Sequence, residues 1–252
     1  MEQTSNSNPI LYQKENPNTS NVSSEAENQE ILKVLIHDIK NPMSSLMGYL
    51  GLLSTMAKSL DAKQKQYIMN STWASNELAF LCRNIEDSIS MESKRLQPRL
   101  ERLQAGPILQ KNVEKLHSIA EYFQKKLLCS IPESLPPIQG DKNLIDRMFY
   151  TIINQSLQNC PNGKEVKISL GKKEKNLFLE VEDEGPAILE EHLEKYFDKF
   201  FSTYCGKGVR RPKGWDAYFC KLVATLHGGE IYINKIEKRQ IFSVLLPYEA
   251  TL

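Results

Sequence analysis

The chain has 252 residues, with 32 Lys and Arg against 31 Asp and Glu and a formal net charge of +1. Balanced charge excludes a global basic field for nucleic acid. The lack of any run of about 18 apolar residues excludes a membrane span, and the N-terminus has neither the basic start nor the apolar stretch of a secretory signal. Five cysteines, odd in number and without a C-x-x-C pair, read as reduced thiols of a cytoplasmic protein, not as a disulfide framework or zinc site.

Residues 1–27 are rich in Ser, Asn, Thr and Glu and predict a flexible tail. From residue 28, Leu32, Ile36, Ile39, Met43, Leu46, Leu50 and Leu53 alternate steps of four and three. That is a heptad seam for a helix in a bundle. Pro42 interrupts it and predicts a kink over 39–41. Asp61 is the expected N-cap of a second helix over 62–92, where Leu78, Leu81 and Ile85 continue an apolar stripe. Two helices bury too little alone, so the pattern predicts a homodimeric four-helix bundle over 28–95.

The remainder, 96–252, mixes periods. A helix is expected over 104–126, a strand over 127–131 and a proline-punctuated loop over 130–141. A helix over 142–159 precedes hairpin strands at 166–170 and 177–183, which alternate apolar and polar residues. Helical text returns at 187–199 and 215–227, and EIYINK and IFSVLLP form a last hairpin after Gly229. The fold class is α+β: a helical hairpin, then a two-layer α/β sandwich.

HDIKNP, residues 37–42, carries the most chemistry. His37 follows the seam residue Ile36, and one helical step of about 100° turns it to solvent. An exposed imidazole with one free nitrogen is a nucleophile. Asp38 can accept its proton, and Asn41 shares its helical face. An isolated exposed His is more often just solvated; the full string shifts that balance.

HDIKNPMSSLMGYL resembles the phosphoacceptor helix of two-component sensor histidine kinases, and ISMESKRLQP (89–98) resembles the end of their dimerisation hairpin. The second half is similar to their ATP-binding domain, through residues 135–163, DEGPAI (183–188), YFDKFF (196–201) and residues 213–233. The resemblance implies that His37 is phosphorylated, that Asp38 is its acid/base partner, and that Asn41 assists removal of phosphate from a response-regulator aspartate. It implies Asp183 as acceptor of the adenine amine, Gly185 as room for the base, and ATP with Mg²⁺ as cofactors. A response-regulator receiver domain is the implied partner.

The sequence departs from that pattern in the pocket. Gln155 stands where the family places its Mg²⁺-binding Asn, and the extra methylene is a handicap for an octahedral ion. Gln158 and Asn159 replace the usual basic and aromatic residues. Pro186 and Ala187 fill the stretch of the second glycine, removing a donor. In the lid hinge only Gly214 survives, and Asp216 sets a negative charge near the expected triphosphate. Lys207, Arg210, Arg211 and Lys213 offset it if they form a phosphate cluster; a plain solvated loop is the competing reading.

Trp73, Trp215, Phe197, Phe200 and Phe201 are expected to pack, His117, His192 and His227 lack metal spacing, and the cysteines are expected to be buried. Three functions therefore stay open: an ATP-dependent histidine kinase with a weakened pocket, an ATP-independent histidine phosphotransferase, and a non-catalytic scaffold. Only the short tail precedes the acceptor helix, so the signal is expected to arrive through that tail or a partner protein.

Overall fold

The computed structural model describes residues 17–56, 60–186, 188–199, 201, 203–205, 209–211, 214–236 and 239–248, with 17–28, 203–205 and 209–211 as backbone only. The chain divides into two compact units, Met1–Ala79 and Phe80–Leu252.

The first unit is built from helix α1 (Pro17–Thr55) and the first half of α2 (Ala62–Glu92). α1 starts before residue 28; residues 1–16 of the expected tail lie outside the described residues. Pro17 suits a helix start, because its fixed φ is helical and its missing N–H has no partner there anyway. α1 also runs unbroken through Pro42. The Ser44 and Ser45 hydroxyls donate to the carbonyls of Lys40 (2.8 Å) and Asn41 (3.4 Å) in that turn. Asp61 caps α2 reciprocally: Gln64 N–H donates to Asp61 Oδ1 (2.8 Å) and Asp61 N–H donates to Gln64 Oε1 (3.0 Å), a capping box. On the seam, Ile36, Met43 and Leu50 are buried, while Ile39, Leu46 and Leu53 stay exposed.

The second unit holds, in order, β1 (Leu100–Leu103), α3 (Ala105–Tyr122), β2 (Lys126–Ser130), β3 (Ile138–Asp141), α4 (Lys142–Asn159), β4 (Glu165–Lys173) and β5 (Asn176–Asp183). Then follow α5 (Glu190–Leu193), β6 (Thr203–Cys205), β7 (Val209–Arg211), α6 (Gly214–Leu226), β8 (Glu230–Ile236) and β9 (Arg239–Pro247). A five-stranded sheet has the order β2-β4-β5-β9-β8. β2 pairs parallel with β4 and the other pairs are antiparallel. The alternation seen in sequence puts Val166, Ile168, Leu179, Val181, Phe242 and Val244 into one core with Ile145, Met148, Phe149 and Ile153 of α4. The result is a two-layer α/β sandwich.

Three local expectations change. The end of the proline-punctuated stretch is strand β3, paired antiparallel with β1. Of the helical text over 187–199, only Glu190–Leu193 is helix; turns follow, because Tyr196 and Phe197 point into the core and break the helical period. Cys129 is exposed, unlike Cys82, Cys160 and Cys220, since β2 is an edge strand.

Asp141 ties the start of α4 to its surroundings. Its Oδ1 accepts the N–H groups of Asn143 (3.0 Å) and Leu144 (3.2 Å), and its Oδ2 accepts Arg99 N–H (2.9 Å). Its own N–H donates to buried His227 Nε2 (2.9 Å), while His227 Nδ1–H donates to Val223 O (2.7 Å). That pattern requires a neutral imidazole, and burial pushes the His227 pKa down. A Cβ on Gly140 would stand 2.4 Å from Ile145 Cδ1 and 3.0 Å from His227 Cδ2, so a side chain here would require Ile145 to move. Gly228, at φ +68°, ends α6 in the left-handed conformation that glycine tolerates.

The last three turns of α2 pack with the sandwich. Phe80 stacks on Tyr150 at 4.4 Å between ring centroids. Asp87 pairs with Arg147. Glu92 accepts from Lys199 Nζ (2.8 Å) and Tyr218 Oη (2.7 Å). The compact units part at Ala79–Phe80, inside α2.

Candidate phosphoacceptor and nucleotide sites

α1 presents His37 as its seam demands. Ile36 is 2% exposed, whereas the His37 side chain is 73% exposed. His37 Nδ1 lies 3.4 Å from Asp38 Oδ1. With Nδ1–H directed at that carboxylate, the Nε2 lone pair faces outward as the nucleophile. Asn41 is also exposed, one turn further along the same face. The three residues expected from the motif are thus held together by one helix.

The second constellation sits where β5 ends. Asp183 is fully buried, and its Oδ1 accepts Gly185 N–H at 2.7 Å. A Cβ on Gly185 would meet Asp183 Oδ1 at 2.6 Å, Asn159 O at 2.9 Å and Asn159 Cβ at 3.0 Å. The glycine is required by this close approach at the C-terminus of α4. Gln240 Nε2 donates to Pro186 O, so the proline turn is fixed from β9. Lys125 donates to Leu157 O (2.8 Å), and burial lowers its pKa although Cys160 and Asp183 oppose that shift. A buried carboxylate in a turn held tight by its glycine is an acceptor of the kind the amine-bearing end of a nucleobase needs.

The phosphate end is different. Gln155 is 3% exposed and its Nε2 donates to Tyr196 Oη at 2.7 Å. Mg²⁺ requires an accessible oxygen in near-octahedral geometry. The bond to Tyr196 engages the amide nitrogen, so an ion would have to reach Oε1 of this enclosed side chain. Among the described residues no cluster of His, Cys, Asp or Glu could hold a metal.

Gly214 is buried at the start of α6. Asp216, in the first turn, accepts Asn84 Nδ2 at 3.0 Å. Asn84 is a neutral donor, so this bond orients the Asp216 carboxylate without cancelling its charge. Arg210 and Arg211 lie on β7, paired with β6, and Lys207 and Lys213 fall outside the described residues. Lys199 Nζ stands over the Trp215 ring at 5.6 Å.

Family comparison matches residues 27–94 to the His Kinase A (phospho-acceptor) domain and residues 140–250 to the histidine kinase-, DNA gyrase B- and HSP90-like ATPase. The chain carries both domains of a two-component histidine kinase. The chain is 26% identical to the sensor protein KdpD of Clostridium acetobutylicum, over 95% of the chain and 27% of that relative. It is 25% identical to the adaptive-response sensory kinase SasA of Crocosphaera subtropica, over 82% of the chain and 56% of that relative. The chain thus spans between about a quarter and just over half of these two relatives. The fold is that of ShkA solved with AMPPNP (TM-score 0.63, 16% identity, 86% of this chain and 45% of that one). Acinetobacter baumannii AdeS shares it too (TM-score 0.56, 18% identity, 84% of this chain and 98% of that one). No described helix of this kinase is long and apolar enough to cross a membrane.

Sequence reasoning missed Tyr196 as the partner of Gln155 and Asn84 as the partner of Asp216. YFDKFF flagged Tyr196 only as part of an aromatic run. Nothing in the sequence joins positions 84 and 216, since their pairing depends on how α2 lies against α6.

Proposed function

We propose that this chain carries a phosphoryl group on His37 and exchanges it with an aspartate of a response-regulator receiver domain. The observation that carries the reading is the exposed imidazole with Nδ1 at 3.4 Å from the Asp38 carboxylate. His37 Nε2 attacks phosphorus, a P–N bond forms and the P–O bond to the donor breaks. Asp38 receives hydrogen-bonded positive character from the imidazolium, as an acid/base partner must. Asn41, one turn on, is placed to orient the water that removes phosphate from the receiver aspartate.

The donor is ATP, its adenine amine bonded to Asp183 and its base entering beside Gly185. Gly214, Arg210, Arg211 and Lys207 are the candidates for the phosphate side. The exposed half of the seam, Ile39, Leu46 and Leu53, supports a homodimer whose four helices close over it. Transfer without ATP is the second reading, and the enclosure of Gln155 by Tyr196 favours it.

The test uses the full chain with radiolabelled ATP, and separately with a phosphorylated receiver, beside His37→Gln. Label on His37 from ATP supports the kinase reading. Label from the receiver alone supports ATP-independent transfer. Label in neither arm, with cognate partners supplied, rules out phosphotransfer through His37.

A further inference from the structure

Asn159 closes α4 against the Asp183–Gly185 turn, and its side chain is 8% exposed. Its Nδ2 is buried and has no hydrogen-bond partner among the described residues. A buried amide donor without an acceptor is destabilising, and buried polar groups in folded proteins are almost always satisfied. The place of this donor explains the exception. Asn159 Cβ lies 3.0 Å from where a Cβ of Gly185 would stand, so the side chain leaves α4 packed against the Asp183–Gly185 turn. Asp183 Oδ1 is already engaged by Gly185 N–H.

We infer that Asn159 is a base-reading residue: its Nδ2 donates to a ring nitrogen beside the exocyclic amine of adenine, while that amine donates to Asp183. The pairing rests on the nucleotide reading above and deepens it. One donor and one adjacent acceptor on the ligand match one acceptor, Asp183, and one donor, Asn159. Adenine offers that edge, with N1 and N7 flanking its amine. Guanine carries an oxygen at the same position, and two acceptors would then face each other at Asp183. A carboxylate with one oxygen already bonded to Gly185 also has less to offer the paired N–H groups of guanine.

The experiment measures binding of ATP, 1-deaza-ATP, 7-deaza-ATP and GTP by calorimetry to the full chain and to Asn159→Ala and Asn159→Asp. ATP is expected to bind, and one of the two deaza analogues to bind about tenfold more weakly, the cost of leaving one donor unmet. That difference should vanish in Asn159→Ala, and Asn159→Asp, which replaces the donor by an acceptor, should weaken ATP itself. Equal binding of ATP and both deaza analogues to the unmodified chain overturns the role of Asn159 and leaves the nucleotide site standing. So does a deaza penalty that persists in Asn159→Ala. No binding of ATP at millimolar concentration overturns the nucleotide site and Asn159 together. If Asn159→Ala fails to fold, the analogue series on the unmodified chain still decides.

Discussion

Asn84 of α2 donates a 3.0 Å hydrogen bond to Asp216 in the first turn of α6. Asn84 is almost fully buried, so the bond is shielded from water, and a hydrogen bond to a charged acceptor contributes about 1.5–3 kcal/mol. Asn84→Ala is expected to lower unfolding stability by that amount. A double-mutant cycle with Asp216→Ala should give a coupling of about 1 kcal/mol or more, read from urea midpoints at constant m. Additive single effects would show that the two residues do not act together.

His37→Gln should leave stability within about 0.5 kcal/mol, because an exposed side chain on a helix surface contributes little to packing. The same change should abolish acid-labile, base-stable phosphoryl label. Thermal unfolding and label retention on one sample separate the two effects. Label at full level in His37→Gln would place the acceptor elsewhere.

Gly185→Ala forces a methyl to within 2.6 Å of Asp183 Oδ1 and 2.9 Å of the Asn159 carbonyl. Backbone cannot yield as a flexible side chain does, so the turn must shift. We expect a stability loss of about 1–3 kcal/mol, typical of overpacking, and loss of measurable ATP binding. Titration calorimetry beside chemical unfolding checks both. Unchanged ATP affinity in a folded Gly185→Ala would move the base away from this turn.

His227 gives the sandwich a pH dependence. Burial holds its folded pKa below the ordinary imidazole value, which is about 6.5. Below that value the unfolded chain gains a proton that the folded chain does not. Stability from this group is therefore complete above about pH 7 and falls as pH drops from about 6.5 toward the lowered folded pKa. The slope from one proton is at most about 1.4 kcal/mol per pH unit. Urea unfolding of the natural chain and His227→Gln, at pH 7.5 and 5.5, should show a flatter dependence in the variant. Parallel dependences would mean that His227 takes up its proton equally in both states.

The readable part of the site was the part carried by one helix. His37, Asp38 and Asn41 lie within five positions, and a helix of fixed pitch turns that spacing directly into geometry. The Asp183–Gly185 contact was legible for the same reason: two residues apart, one turn joins them. Gln155 was legible only as a departure, because its bond to Tyr196 spans 41 residues and depends on where the aromatic turn after α5 settles. The short helix at 190–193 was misjudged in length because Tyr196 and Phe197 are drawn into the core, and burial outweighs helical propensity there.

Hydrophobic period and turn chemistry, both local, determined the order of elements in this chain: a heptad seam for α1, the Asp61 cap for α2, and alternation for the hairpins. They also determined that His37 faces solvent, since it follows a seam residue. Tertiary structure alone decided that the last turns of α2 join the sandwich and that Asp216 accepts a hydrogen bond from Asn84. It alone enclosed Gln155 behind Tyr196 and left the Asn159 amide buried beside the Asp183–Gly185 turn. Those outcomes depend on contacts between residues distant in sequence, and such contacts follow from how layers stack, which no local pattern encodes.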